Sequence, residues 1–158
     1  MAMPTLKEVL NVVDLMVENE LEMEKIYRVF MEKFPDSRNF WKLIADDEHN
    51  HAEWIAAAKD CLNQGTLPIP AKLIYPYIIQ NAIKLVKEQQ KVFQTKDKTL
   101  AEALAFSNNM ENYMLENRFF EIFDCDVPEI KKYHDDIVGE TQKHHKMIAD
   151  NQKKINNN

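Results

Sequence analysis

The chain contains an internal repeat, and this repeat is the feature that most limits its fold. Residues 17–55 align without a gap on residues 110–148, at an offset of 93 residues. Seven of the 39 aligned pairs are identical, and most of the other apolar positions stay apolar. Upstream, residues 5–10 match residues 99–104 at an offset of 94. Two copies of a helix–turn–helix unit account for this pattern.

Each copy predicts a pair of antiparallel helices. Apolar side chains recur at helical spacing from Leu6 to Phe34, Pro35 ends that helix, and a second helix follows over 38–63. The second copy predicts helices over about 100–123 and 129–154. With only two glycines in the chain, a helical protein is favoured. We expect an all-α single domain over residues 1–158, a four-helix bundle of two helical hairpins. Its parts are repeat one (5–63), a crossover containing a short helix (64–98) and repeat two (99–155).

The offset changes by one residue inside the first helix, between Leu10 and Glu18. One inserted residue turns every later side chain by about 100° around an α-helix. A single π-turn absorbs such an insertion, and π-turns are common at functional sites. The sequence therefore predicts a π-turn or local overwinding in this part of the first helix.

Composition excludes several classes of function. The net charge is −6 with no basic stripe, so nucleic acid is not expected as a partner. No apolar run approaches the roughly 20 residues of a membrane span, so a membrane protein is not expected. Cys61 and Cys125 are isolated in sequence, which argues against a disulfide framework or a thiolate metal site. These features favour a cytoplasmic location.

The residues with metal-binding chemistry lie in the first copy. Glu20 interrupts the apolar stripe of the first helix, where an ionised carboxylate requires a partner. Glu48 and His51 form an E-x-x-H pair and project from one face of the second helix. Ferritin-like carboxylate sites use one Glu from each of two helices and an E-x-x-H from each of the other two. The first copy supplies half of that set.

These residues resemble those of the rubrerythrin branch of the ferritin-like family, across essentially the whole chain. The resemblance rests on Glu20 with Tyr27 seven residues later, on residues 44–51 and on His144. It implies a di-iron site that uses Glu20, Glu48 and His51, with Tyr27 hydrogen-bonded to the ligands. The cysteine-ligated rubredoxin module of rubrerythrins has no counterpart, which favours a separate electron-transfer partner.

The second copy departs from the family pattern. Tyr113 and Thr141 occupy two positions where carboxylates are expected, and only His144 corresponds to a like residue. Tyr113 has three interpretations: a core tyrosine that fills vacated space, a hydrogen-bond donor beside the ligands, or a phenolate ligand to Fe(III).

Two other acids are candidate replacements for the missing carboxylates. Glu116 lies one turn beyond Tyr113, as an extra carboxylate does in rubrerythrins, and Glu140 shares a helix face with His144. Glu111, two residues before Tyr113, is expected to point to a different side of its helix.

Two functions from different classes follow from this sequence. The first is a rubrerythrin-like non-haem protein that binds one or two iron ions, or Mn or Zn. Such a protein would act on dioxygen or peroxide as an oxidoreductase, or handle metal. The second is a metal-free four-helix module for oligomerisation or interaction. A homodimer is expected in either case. Because Glu20 and Glu48 alone neutralise one divalent ion, we expect at most one tightly held metal.

Overall fold

The computed structural model describes residues 3–123 and 125–156, and its regular structure is helical throughout. Capping boxes begin two of the helices, Thr5 with Glu8 and Thr99 with Glu102, so the first backbone N–H groups are satisfied. The helices are α1 (Leu6–Lys33), α2 (Arg38–Asn63), α3 (Pro76–Thr95), α4 (Leu100–Glu116) and α5 (Pro128–Asn156). The predicted all-α class is confirmed in this part of the chain.

The first helical hairpin is formed by α1 and α2, which a 3₁₀ turn over Pro35–Ser37 connects. The two helices run antiparallel, because Lys59 pairs with Asp14 near one end and Arg28 pairs with Asp46 nearer the other. α1 is α-helical along its whole length. The predicted π-turn between Leu10 and Glu18 is therefore wrong, and the change of offset has another origin.

The crossover contains α3, which is longer than the short helix that the sequence predicts. α3 lies along α1 in the same direction, since Lys87 contacts Glu18 and Phe93 packs on Phe30 further along. The next connection is short, and α4 then runs antiparallel to α1. This follows from the contacts that Glu111 and the later Met114 make with Tyr27 and Asn19 respectively.

The helix predicted over 100–123 is interrupted: α4 ends at Glu116, and a 3₁₀ turn over Phe119–Phe123 follows. Arg118 has a φ of 56°, the left-handed conformation that commonly ends helices. Glycine usually occupies such a position because it has no Cβ to clash. Because an arginine stands here instead, no glycine in the sequence marks this helix end.

α5 closes the bundle by packing against both α4 and α2. It runs antiparallel to α2, as the His144–Asp47 and Trp54–Tyr133 contacts indicate. One cluster of buried apolar side chains includes residues from all five helices. Within that core, nine polar or charged residues are also buried, and most of them lie close together. None of the described helices is long and apolar enough to cross a membrane.

Candidate metal centre

Three side chains of the first hairpin converge inside the bundle, as the sequence predicts. Glu20 on α1 and Glu48 and His51 on α2 are each at most 1% exposed. His51 Nδ1 lies 3.1 Å from Glu48 Oε2 and 3.4 Å from Glu20 Oε2. One ligand atom from each residue lies within 4.8 Å of the others, a spacing that a single metal ion could bridge.

A second group of the same composition adjoins the first and shares Glu48 with it. Its other members are Glu111 on α4 and His144 on α5, both fully buried. His144 Nδ1 lies 3.2 Å from Glu48 Oε1 and 3.9 Å from Glu111 Oε1. Glu48 thus presents one carboxylate oxygen to each histidine. A carboxylate between two such groups has the arrangement of a ligand that bridges two ions.

Several polar atoms of this centre are buried without a hydrogen-bond partner. They are Glu20 Oε2, Glu48 Oε1, Glu111 Oε2 and His144 Nδ1. A buried polar atom that makes no hydrogen bond costs roughly 1–3 kcal/mol, and more when the group is charged. Glu48 Oε1 and His144 Nδ1 lie 3.2 Å apart, and Glu20 Oε2 lies 3.4 Å from His51 Nδ1, so charge attraction offsets part of this cost for three of the four atoms. Coordination of a metal would satisfy them all.

The outer nitrogen of each histidine meets a carboxylate from the opposite hairpin. His51 Nε2 lies 2.7 Å from Glu140 Oε2, and His144 Nε2 lies 3.0 Å from Asp47 Oδ2. Both carboxylates are partly exposed. In the tautomer with hydrogen on Nε2, each imidazole donates to its carboxylate and leaves the Nδ1 lone pair directed into the centre. Such pairs orient histidine ligands in metal sites.

Tyr27 is the buried hydrogen-bond partner of Glu111. Its hydroxyl donates to Glu111 Oε1 over 2.5 Å, and its ring stacks on Trp41. Glu20 has a different partner, because the Asn19 amide donates to Glu20 Oε1 over 3.2 Å. Each of the two outer carboxylates of the centre is therefore held by one polar side chain on α1.

Burial and mutual repulsion set the charges of the metal-free centre. Burial, and the nearby charge of Glu48, raise the pKa of Glu20 and that of Glu111 to about 8. Burial also opposes charge on the histidines. Contacts with Glu20 and Glu48 nonetheless raise the pKa of His51 to about 12, and contacts with Asp47 and Glu48 raise that of His144 to about 10. The same imidazoles outweigh the effect of burial on Glu48, whose pKa lies below its usual range.

At neutral pH, the metal-free centre therefore holds four protons more than a set of three ionised carboxylates and two neutral imidazoles. Two divalent cations carry the same charge as these four protons. Exchange of protons for metal would leave the charge of the buried centre unchanged.

The other residues singled out in the sequence lie outside this convergence. Glu116 is exposed and accepts a hydrogen bond from Asn112. Tyr113 is half-buried on the outer side of α4, where its hydroxyl donates to the Ile78 carbonyl over 3.3 Å. Tyr113 thus neither fills the middle of the bundle nor contacts the two groups. Thr141 is buried, 1% exposed, and lies three residues before His144 on α5.

Glu111 is the site residue that sequence reasoning placed wrongly. The gapless alignment pairs Glu20 with Tyr113, but the buried positions of α1 and α4 correspond at an offset of 91, which pairs Glu20 with Glu111. On α2 and α5 the offset of 93 holds, and it pairs His51 with His144. The two hairpins therefore differ in the turns that connect their helices. The signal present in the sequence was the shared Glu-x-x-Met of residues 20–23 and 111–114.

The donor set consists of carboxylate oxygen and imidazole nitrogen, without sulfur. This mixture suits iron, manganese or zinc, and disfavours ions that prefer thiolate. Comparison with protein-family models, with curated proteins and with solved structures gives no match. The five converging side chains are therefore the features of the molecule from which its function can be inferred.

Proposed function

We propose that this chain is a rubrerythrin-like member of the ferritin-like proteins that binds two iron ions and acts as a non-haem oxidoreductase on peroxide or dioxygen. The observation that carries the proposal is the position of Glu48, with one oxygen facing each histidine. Glu20 and Glu111 each add one further carboxylate to one of these pairs. Three carboxylates and two histidines form a ligand set for two ions, rather than the single ion expected from the sequence.

The helix directions support the ferritin-like part of the proposal. α1 pairs antiparallel with α2, α4 packs against α5, and the long connection through α3 joins the two hairpins. Ferritin-like folds have one such crossover, whereas simple up-down bundles have short loops only. The interior of a bundle of this type is also where facing helices build metal sites.

The side chains of the centre provide what such chemistry needs. Bound at Glu48, ferrous ions would supply the electrons that reduce dioxygen or peroxide. Glu20 and Glu111 neutralise the cations, and Tyr27 keeps the Glu111 carboxylate in place. The protons for the water that forms would come from solvent, because metal binding has already displaced those of the buried carboxylates and imidazoles. The buried apolar residues around the centre limit access of bulk water.

Peroxide consumption tests this proposal. Protein loaded anaerobically with two equivalents of Fe(II) should consume hydrogen peroxide and develop ferric absorbance, because the bound ions are oxidised. Glu48→Gln loaded in the same way should leave the added iron in solution and react only as free Fe(II) does. Equal behaviour of the two proteins would reject the proposal.

The rival function is a metal-free interaction module, and it predicts a different result. In that case chelator should leave thermal stability unchanged and the purified protein should contain no metal. The predicted homodimer is compatible with both functions, whereas the separate electron-transfer partner applies to the oxidoreductase alone, and both stay predictions. Manganese or zinc in place of iron would keep the site but remove or change the redox chemistry.

The contacts of Glu140 with His51 and of Asp47 with His144 lead to a separate prediction for each ion. Because Glu140 holds His51 and Asp47 holds His144, Glu140→Ala should weaken the ion beside Glu20, and Asp47→Ala the ion beside Glu111. Loss of a residue that orients a metal ligand typically costs 10–100-fold in affinity. Isothermal titration with Fe(II) or Zn(II) should then resolve one weakened and one unchanged site. Asp46→Ala is the control, since Asp46 contacts Arg28 and Lys42 instead.

Removal of the Tyr27 hydroxyl should also act on one ion only. Tyr27→Phe leaves Glu111 Oε1 without its donor, so affinity at the Glu111 group should fall by roughly tenfold. Affinity at the Glu20 group should stay the same. Tyr75→Phe, a change at an exposed tyrosine, is the control. Two equally weakened sites would indicate a general loss of packing, and two unchanged sites would show that the bond does not position Glu111.

A further inference from the structure

A row of aromatic rings extends from the metal centre to the surface of the α2–α5 face. The His51 ring contacts the Trp54 ring, with centroids 5.8 Å apart. Trp54 in turn stacks on Tyr133, with centroids 5.9 Å apart and planes 13° from parallel. His51 is fully buried, whereas Trp54 and Tyr133 are both partly exposed. Tryptophan and tyrosine are the side chains most readily oxidised by one electron in this row.

A second aromatic row starts on the other side of the centre and differs at its far end. Tyr27, hydrogen-bonded to Glu111, stacks on Trp41, and both residues are fully buried. Among the described residues, the further rings that contact Trp41 are those of Phe30 and Phe40, which are not readily oxidised. Trp41 Nε1 is also buried without a partner, so an oxidised Trp41 would have no proton acceptor there. Both oxidisable rings of this row, Tyr27 and Trp41, are buried, so an external reductant could not reach them at the surface.

We propose that Trp54 and Tyr133 form a one-electron relay through which an external reductant supplies electrons to the iron centre. The inference rests on the proposed function, and it names a route by which electrons from outside the chain would reach the centre. The reductant is a one-electron donor of the ascorbate type that meets Tyr133 at the surface. The stacked geometry of the two rings, their partial exposure and the contact of Trp54 with the buried His51 carry the proposal.

The relay is needed when the bound iron cannot supply both electrons that peroxide takes. Reduction of hydrogen peroxide to two waters takes two electrons and two protons. When a single ferrous ion is bound, one electron comes from that ion and the second comes from Tyr133 by way of Trp54. Tyr133 releases its phenolic proton to solvent and becomes a neutral radical. One ascorbate electron and a solvent proton restore Tyr133, and a second ascorbate electron would return the ion to the ferrous state by the same route, so that two electrons replace the two that peroxide takes.

The experiment uses the full chain loaded with one equivalent of Fe(II), mixed with hydrogen peroxide and frozen rapidly for electron paramagnetic resonance. The relay predicts a tyrosyl signal that Tyr133→Phe abolishes, that Trp54→Phe largely removes and that ascorbate quenches. Tyr75→Phe is the matched control, because Tyr75 also belongs to a stacked exposed pair, with Tyr77, but that pair makes no contact with His51. Iron content and helical circular dichroism are measured for each protein.

The outcomes separate this inference from the function on which it rests. If the wild-type chain binds no iron, both are overturned. If iron binds and no tyrosyl signal forms, or if the signal persists in Tyr133→Phe, the relay alone is overturned. A signal lost in Tyr27→Phe and kept in Tyr133→Phe would assign the radical to the buried tyrosine, and that result also rejects the relay.

Discussion

Glu48→Gln should remove both metal ions, whereas a change at either outer carboxylate should remove one. The reason is geometric: Glu48 faces both histidines, while Glu20 and Glu111 each belong to a single group. Glutamine keeps the size of the side chain but not the negative charge that a bridging ligand provides. Elemental analysis should give two ions per chain for the wild type, one for Glu20→Gln or Glu111→Gln and none for Glu48→Gln.

The control for this series is Glu116→Gln. Glu116 matches the family pattern in sequence, yet it is exposed and contacts Asn112. Its replacement should leave both ions bound. Loss of an ion in Glu116→Gln, or retention of both in Glu48→Gln, would show that the ligands are not the five buried side chains described above.

Metal-free protein should lose stability as pH rises from 5 to 8, and metal should reverse that trend. Glu20 and Glu111 have pKa values raised to about 8 in the folded chain, so they contribute stability at low pH that is lost as pH rises through 8. The pKa values of His51 and His144 are also raised. Above the ordinary histidine pKa, these two residues therefore also lower the stability of the folded chain as pH rises. The lowered pKa of Glu48 adds no slope in this window, because Glu48 is ionised throughout it.

Bound metal must displace these protons, so its affinity should grow over the same pH range. At 100 times the dissociation constant, one site adds about 2.7 kcal/mol to the free energy of unfolding. For a chain of this size that corresponds to about 5–10 °C in the melting temperature per ion. Thermal unfolding at pH 5, 6.5 and 8, with chelator and with excess metal, measures both effects.

Glu20→Gln tests the origin of the pH dependence. Glutamine resembles the protonated carboxyl group, so the chelated variant should lose less stability with rising pH than the wild type. An identical slope in the two proteins would place the titrating groups elsewhere in the chain.

Much of this architecture follows from local patterns in the sequence. Apolar spacing predicted α1 and α2, and Pro35 marked their turn, because backbone preferences act over a few residues. The E-x-x-H pair of Glu48 and His51 could be predicted for the same reason. Two residues three apart on a helix share a face whatever the tertiary context. Glu20 was identified because a carboxylate in an apolar stripe is costly without a partner.

The second half of the centre could not be predicted, because it depends on the turn that connects the helices within each hairpin. A gapless alignment assumes equal turns, but α4 ends at Glu116 with Arg118 in a left-handed conformation. The following 3₁₀ turn buries Phe119, Phe120, Ile122 and Phe123, so tertiary packing overrides helical continuation there. The resulting two-residue shift brings Glu111 into the centre and leaves Tyr113 outside it. A one-residue error in register turns a helical side chain by about 100° around the helix axis. Such an error is enough to assign a ligand position to a residue that lies outside the centre.

The crossed contacts of Asp47 and Glu140 illustrate a further limit of sequence reasoning. Glu140 was identified by its spacing from His144, its neighbour on α5, yet its contact is with His51 on the facing helix α2. Asp47 makes the reciprocal contact with His144. Spacing along one helix shows which residues share a face, but only the packing of two helices decides which residues meet between them.

Five buried side chains should hold two metal ions, and the metal content of the purified protein measures this. Protein produced in iron-supplemented medium and purified without chelator should contain two iron ions per chain by elemental analysis. Dialysis against chelator should remove them together with a fall in melting temperature. A metal content near zero, with the same melting temperature before and after chelator, would rule out the two-ion centre and favour the metal-free interaction module.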